Sequence, residues 1–577
     1  MEQCCPVQKI SNWFVPCLAS THTLLRTHGN WFLTRLPCRK PVQSHSNSPG
    51  SHRIVQAWLS TCLEEHGQCN ELAVRTHSFT PDRLLHIMTP SSIRLSMEHR
   101  RDVSYVALSY CWGAPEIFST TKENYEDHLK GIPILELPKT FREAIEMSQV
   151  LGYEYIWIDS ICIIQHDKQD FAVQSSKMGD IYANAMVVLS AHSASNVDEG
   201  FHRQRENASF TIHIPPWKRS LHQRDQNSRN DNVHLGCNEE NLDVLYARPH
   251  LGKDFIWKSG DHYSYVKAPT NDRAWCFQEQ RLARRIIHFT KDEMYWQCGS
   301  ISTCECGRKD SETKYTDFIP QLLARFWNPP KTEGMMWDCS HPISFWGPAV
   351  EKLATRRLTN PTDRLPALAG LASRLHCNEL GDYHAGMWRN YLPLSLLWDA
   401  RSNVEKLVSE TYIGPTWSWI SYIGAIQSPV CLGGYYVPAC KLIQIRTLLG
   451  SANPFGAITA AWIRITGLTS KATVVTRKRG DIRELRETTI TDLCSGKMTV
   501  LNFYPDGRVS SAKGESVLPH FEEVMLFIVA LAKTTGHWRG LVLIKSCKQQ
   551  GAFERMGTFT SRGNRKGRWV NKTVTII

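Results

Sequence analysis

Between residues 105 and 190, short apolar runs alternate with stretches of helical periodicity. Tyr105–Tyr110 (YVALSY) is apolar and β-prone and runs into Cys111-Trp112-Gly113, the pattern of a buried strand entering a turn. Phe141, Ala144, Ile145, Ser148 and Leu151 then recur at helical spacing. Thr140 followed by Glu143 fits a capping box, and Gly152 supplies a helix stop. Tyr155–Ile158 (YIWI) predicts a second strand leading directly into Asp159. A second helix is expected from about Asp170 to Tyr182, with Phe171, Met178 and Ile181 inward, and Met186–Ser190 a third strand. This β-α-β-α-β order implies right-handed parallel crossovers, hence an α/β fold built on a doubly wound, mostly parallel sheet. Functional groups of such sheets gather beyond the carboxyl ends of the strands. Two segments sit there, Ser109–Gly113 and Asp159–Asp167, so Ser109, Tyr110, Trp112, Gly113, Gln165 and Asp167 are candidate binding residues.

The flanking sequence differs in character. Residues 43–52 (QSHSNSPGSH) read as a Ser/Pro/Gly linker, so 1–52 are expected to be a disordered leader and linker, with folded structure beginning near Arg53. The α/β domain is expected over 53–310, with its core motifs in 105–298 and a polar, Asn- and Arg-rich insertion at 203–236. A helical and Trp-rich region (311–456) and a β-rich region (457–577) follow, without internal repeats.

Composition narrows the function classes. The 577 residues are 42% hydrophobic and 21% charged, a globular balance. The apolar run Val524–Ala532 falls far short of the ~20 residues of a membrane-spanning helix. The net charge of +12 is partly local, since residues 1–63 hold six cations against Glu2 alone. That leader has some transit-peptide character, but its Pro6, Pro37 and Pro41 disturb an amphipathic helix, and a cytoplasmic location is expected. Nineteen scattered cysteines with no secretory signal pattern suit reduced thiols inside a cell. Cys298, Cys304 and Cys306 lack metal-site spacing and read as ordinary thiols, so no metal is expected. A Walker-type phosphate loop is absent, and the basic stretch Arg562–Lys572 comes with no nucleic-acid module, so nucleic acid is not an expected partner.

Three blocks in order resemble the fungal heterokaryon-incompatibility (HET) domain: YVALSYCWG at 105–113; LPKTFREAI, YIWIDSICIIQHDKQD and MGDIYANA within 137–185; and RAWCFQEQRLARRIIHFTKDEMYWQC at 273–298. A looser likeness extends upstream through WLSTCLEEHGQC (58–69) and downstream through NPTDRLPALAG (360–370) and PTWSW (415–419). The resemblance implies an effector of growth arrest or death after fusion of unlike hyphae, working with protein partners. It also implies a fold like that of Toll/interleukin-1 receptor domains, some of which cleave NAD. NAD is thereby a candidate substrate, with no other cofactor indicated.

Cleaving NAD requires a carboxylate beside an oxocarbenium-like ribosyl centre and cations or amides for the pyrophosphate. Asp159 and Glu279 are the candidate catalytic carboxylates. Asp159 either faces a cleft or caps a turn, and Glu279 either acts chemically or joins an ion-pair network with Arg273, Arg281 and Arg285. Gln174, Arg273 and Gln278 complete the binding candidates, and Trp112 and Tyr110 offer rings for stacking or for the core. Cys111 and Cys162 read as buried thiols. The family commonly carries a Trp and, three residues on, a Glu on the helix after the Asp-Ser-x-Cys turn, where this chain has Phe171 and Gln174. An amide positions a hydroxyl but neutralises no cation, so NAD cleavage is expected to be weak or absent.

Overall fold

The computed structural model describes residues 42–70, 79–97, 103–113, 116–205, 268–307 and most of 342–577, with isolated backbone segments elsewhere. Residues 1–41, most of the 203–236 insertion and 562–568 of the basic stretch lie outside the described residues. Helix α1 (Pro49–Glu65) is followed by strands β1 (Leu84–Thr89), β2 (Ser92–Ser96), β3 (Val106–Ser109) and β4 (Ile132–Pro133). Next come α2 (Lys139–Val150), β5 (Tyr155–Trp157), α3 (Lys168–Asn184) and β6 (Val187–Ser190). Beyond the insertion lie α4 (Ala274–Leu282), β7 (Arg285–Phe289), β8 (Met294–Cys298) and β9 (Ser302–Cys304).

These nine strands form one sheet in the order β9-β8-β7-β6-β3-β5-β1-β2-β4. The three strands expected as parallel neighbours are so: β3 pairs in parallel with β5 on one side and β6 on the other, and β7 extends the parallel block beside β6. All four residues of β3 and of β6 are buried, as two covered faces require. The chain steps from β3 to β5 and then back across to β6, so right-handed crossovers put α2 and α3 on opposite faces and make β3 the switch point. The sheet as a whole is mixed, because both edges turn antiparallel through β1, β2 and β4 on one side and β8 and β9 on the other. Short hairpin connections, which leave no room for a crossover helix, account for β1-β2 and β7-β8-β9.

Two local expectations need correction. Residues 43–52 are not a linker, since their Ser and Pro start α1: the Ser48 side chain accepts from the Ser51 N–H, and Pro49 occupies the first turn. The preceding residues pair with 203–205, through Ser46 N to Arg203 O and Arg205 N to Ser44 O. Thr140 and Glu143 form no capping box either, because α2 begins at Lys139. Glu143 is buried and accepts from the backbone N–H groups of Phe201 and His202.

A second core joins α4 to α5 (Pro342–Ala354), α6 (Pro366–Leu375), the Trp-rich segment and one face of a largely antiparallel C-terminal sheet. Strands of that sheet begin at Tyr436. Helices α3 and α6 meet backbone to backbone at Gly179 and Gly370, where a Cβ on either would come within 2.7 Å of the other's Cα. Neither backbone can yield far in a packed core, so Gly370→Val is expected to cost about 1–3 kcal/mol, read as a lowered denaturant midpoint.

Candidate functional site

The carboxyl ends of β3 and β5 meet at Asp159, the first residue of a single helical turn, Asp159–Cys162. Three donors hold its carboxylate. Tyr110 Oη donates to Oδ1 at 2.6 Å, Ser160 N to Oδ1 at 2.7 Å and Trp112 Nε1 to Oδ2 at 2.9 Å. Tyr110 is otherwise packed edge-on against Phe141 of α2, which fixes the phenol beneath the aspartate. Gly113 closes the turn after Trp112 with φ of +82°, where an added Cβ would lie 2.1 Å from that of Asn196. Both the left-handed conformation and the close approach therefore demand glycine.

Helix α4 brings the second carboxylate. Glu279 is 4% exposed, and its Oε2 has no hydrogen-bond partner among the described residues; the same holds for Ser109 Oγ at the end of β3. Burial, then the neighbouring Cys276 and Asp159, push the Glu279 carboxyl well above the ordinary glutamate range, and Ser109 and Arg273 offset only part of this. Burial also raises Asp159, against the opposing pull of Tyr110, Trp112 and Arg273. Arg273, at the N-terminal edge of α4, sets its guanidinium 5.9 Å from the centre of the Trp112 ring. The site thus combines an oriented carboxylate, a carboxyl group biased toward its neutral form, and a half-buried cation over an aromatic face. Such a set can donate a proton from Glu279, face positive charge at Asp159 and hold an anion at Arg273. Asp159 and Glu279 fall in no group of three potential metal ligands among the described residues.

The remaining candidates have structural partners. Gln165 Nε2 donates to Ile163 O at 3.0 Å and Asp159 O at 3.4 Å, bracing the turn. Asp167 caps α3 through the N–H groups of Gln169 and Asp170, and pairs with Lys122 at 3.0 Å. Gln278 Oε1 accepts from Gly370 N at 2.7 Å, tying α4 to α6. Gln174 is buried and donates to Asp82, which also pairs with Lys177. Cys162 is a buried thiol pushed up to about 12 by burial. Cys111 has a neighbour that sequence reasoning missed: Cys276, whose hydrogen bond holds Cys111 below the usual thiol range. Cys276 stands three residues before Glu279, and that helical spacing is the signal for a shared face.

The family comparison coincides with this geometry. No curated protein and no solved structure matches the chain. The model of the family described as heterokaryon incompatibility protein (HET) matches residues 105–279, a span that opens on the strand before Tyr110 and closes on Glu279. With that match over the elements that assemble the Asp159–Glu279 site, residues 105–279 are similar to the heterokaryon-incompatibility domain.

Proposed function

We propose that this protein is a fungal effector of non-self recognition, whose HET domain brings about growth arrest or death after fusion of unlike cells. The observation that carries this reading is the polar node at the switch point. A buried carboxyl with one oxygen left without a hydrogen-bond partner among the described residues, set beside a second carboxylate, lowers stability, and folding alone gives no reason for it. The same node favours a chemical reading of the effector: a nucleotide-sized ligand with a ribosyl centre, NAD in the first place, held by Arg273 and Trp112 with its sugar toward Asp159.

Helix α4 gives the C-terminal region a route to this site. Glu279 faces the node, while Ala274, Phe277 and Leu282 of the same helix belong to the C-terminal core. The region beyond α4 therefore serves as the sensing part, contacting a protein partner and acting through the position of Glu279.

Expression in a fungal host tests the effector reading. The wild-type chain is expected to arrest growth and Asp159→Asn, at equal protein level, to grow normally; arrest undiminished in Asp159→Asn removes the site from the function. Nicotinamide release from NAD tests the chemistry. Weak release is expected from wild type, with a further loss of about a hundredfold in Asp159→Asn, the scale of one lost electrostatic contact at a transition state. Gln174→Glu is expected to raise release if helix position 174 carries the reaction. No response there, combined with dependence on Glu279, assigns the chemistry to the node instead.

A further inference from the structure

Cys62 lies buried in the last turn of α1, His66 is the cap residue that ends that helix, and Cys69 follows in a short separate helical segment that starts at Gly67. Across from them, Cys298 ends β8. One ligand atom from each of these four residues lies within 4.8 Å of every other, and His66 Nδ1 is 3.4 Å from Cys298 Sγ. Three of the four residues are buried and His66 is half-buried. A tetrahedral zinc ion with Zn–S of about 2.3 Å and Zn–N of about 2.0 Å needs ligand atoms roughly 3.5–3.8 Å apart, so the cluster needs only small side-chain adjustments to close on a metal.

The surroundings are those of bound thiolates. Arg285 is 1% exposed, makes no ion pair with a carboxylate among the described residues, and donates Nε to Cys62 Sγ at 3.1 Å. Its Nη2 reaches Asn70 Oδ1 at 2.9 Å, which fixes the guanidinium plane against the sulfur. The Ile301 N–H points at Cys298 Sγ at 3.5 Å across a tight turn. N–H groups directed at sulfur and a buried cation without a carboxylate are what three thiolates around a divalent ion require. The set carries a net charge of −1, which Arg285 cancels.

We propose that Cys62, His66, Cys69 and Cys298 form a closed structural zinc site that clamps α1 to the β7–β8 edge of the HET sheet. Four protein ligands leave no open position, so the metal there is structural and takes no part in chemistry at Asp159. The sequence grouping of Cys298 with Cys304 and Cys306 does not hold: the latter two cluster with Glu293. The site also gives the upstream Cys-x3-His-x2-Cys segment, which lies outside the 105–279 match, a physical task.

The test is metal analysis of the full-length chain, purified under reducing conditions from zinc-supplied medium. About one zinc per chain is expected, falling below about a tenth in the Cys62→Ser/Cys69→Ser double variant. Because that variant can fail to fold, cobalt(II) titrated into the metal-stripped wild-type protein gives a second readout, with intense visible bands of tetrahedral cobalt and sulfur-to-cobalt charge transfer at one equivalent. Wild-type protein without stoichiometric metal and without those bands overturns the proposal. So does iron with sulfide in place of zinc, or zinc that survives the double variant and is lost in Cys304→Ser/Cys306→Ser.

Discussion

Replacing Arg555 by Met is expected to destabilise the chain by about 3–5 kcal/mol, the cost of leaving a buried charge without its partner. Arg555 is fully buried, in the strand Ala552–Ser561 of the C-terminal sheet. Its Nε and Nη2 form a two-point pair with Asp506 at 2.6 and 2.7 Å, Nη2 also donates to Trp398 O at 2.6 Å, and Nη1 donates to Leu396 O. The guanidinium lies flat over the Trp398 ring, 3.7 Å from its centre. One side chain therefore satisfies two carbonyls of the Trp-rich segment and a carboxylate of the sheet, and Met satisfies none of them. The measurement is a urea midpoint with an unchanged slope. Arg555→Lys is expected to lose nearly as much, since an ammonium cannot reproduce the planar fork. A midpoint shift under about 1 kcal/mol in the Met variant shows that the pair is offset by its own desolvation.

What was legible in the sequence and what was not divides along the range of the interactions. The three parallel strands were readable because β3, β5 and β6 are buried on both faces and their apolar runs interrupt two amphipathic helices. Tyr110, Trp112 and Asp159 were reachable because topology alone carries strand ends to one place. The antiparallel pairing of β1 with β5 was not legible, since it sets Leu85 against Ile156, a contact far along the chain to which local periodicity is blind. The thiol–imidazole cluster is the same case. Cys62 and Cys298 are separated by most of the α/β domain, and only the folded sheet brings them together. Gln174 and Gln278 illustrate the opposite error. Polar residues next to a motif read as site residues, whereas the fold uses them to hold Asp82 and the Gly370 backbone. Helix-start chemistry at Ser48–Pro49 was misread for a related reason, as the residues that begin a helix are also those that compose linkers.

Glu279 is expected to make the chain less stable as pH rises from 4.5 to 7, and Glu279→Gln is expected to remove that contribution. The sign follows from the direction of the shift. Glu279 is raised well above its unfolded value of 4.5, so between the unfolded and the folded pKa the folded state keeps a proton that the unfolded state releases. Stability from this group is complete below pH 4.5 and declines as pH rises toward the folded pKa, at about 1.4 kcal/mol per pH unit. Gln presents nearly the shape of the protonated acid and does not titrate, so the variant is expected to match wild type in acid and exceed it at neutrality. Denaturant midpoints of both proteins at pH 4.5, 5.5 and 7 read the difference, and parallel curves show that Glu279 is ionised in the folded state. The same substitution separates structure from function, because the amide retains the volume of the acid but has no proton to deliver to a leaving group. A variant more stable than wild type at pH 7, yet unable to arrest fungal growth, is the result expected if the buried carboxyl is kept for its chemistry.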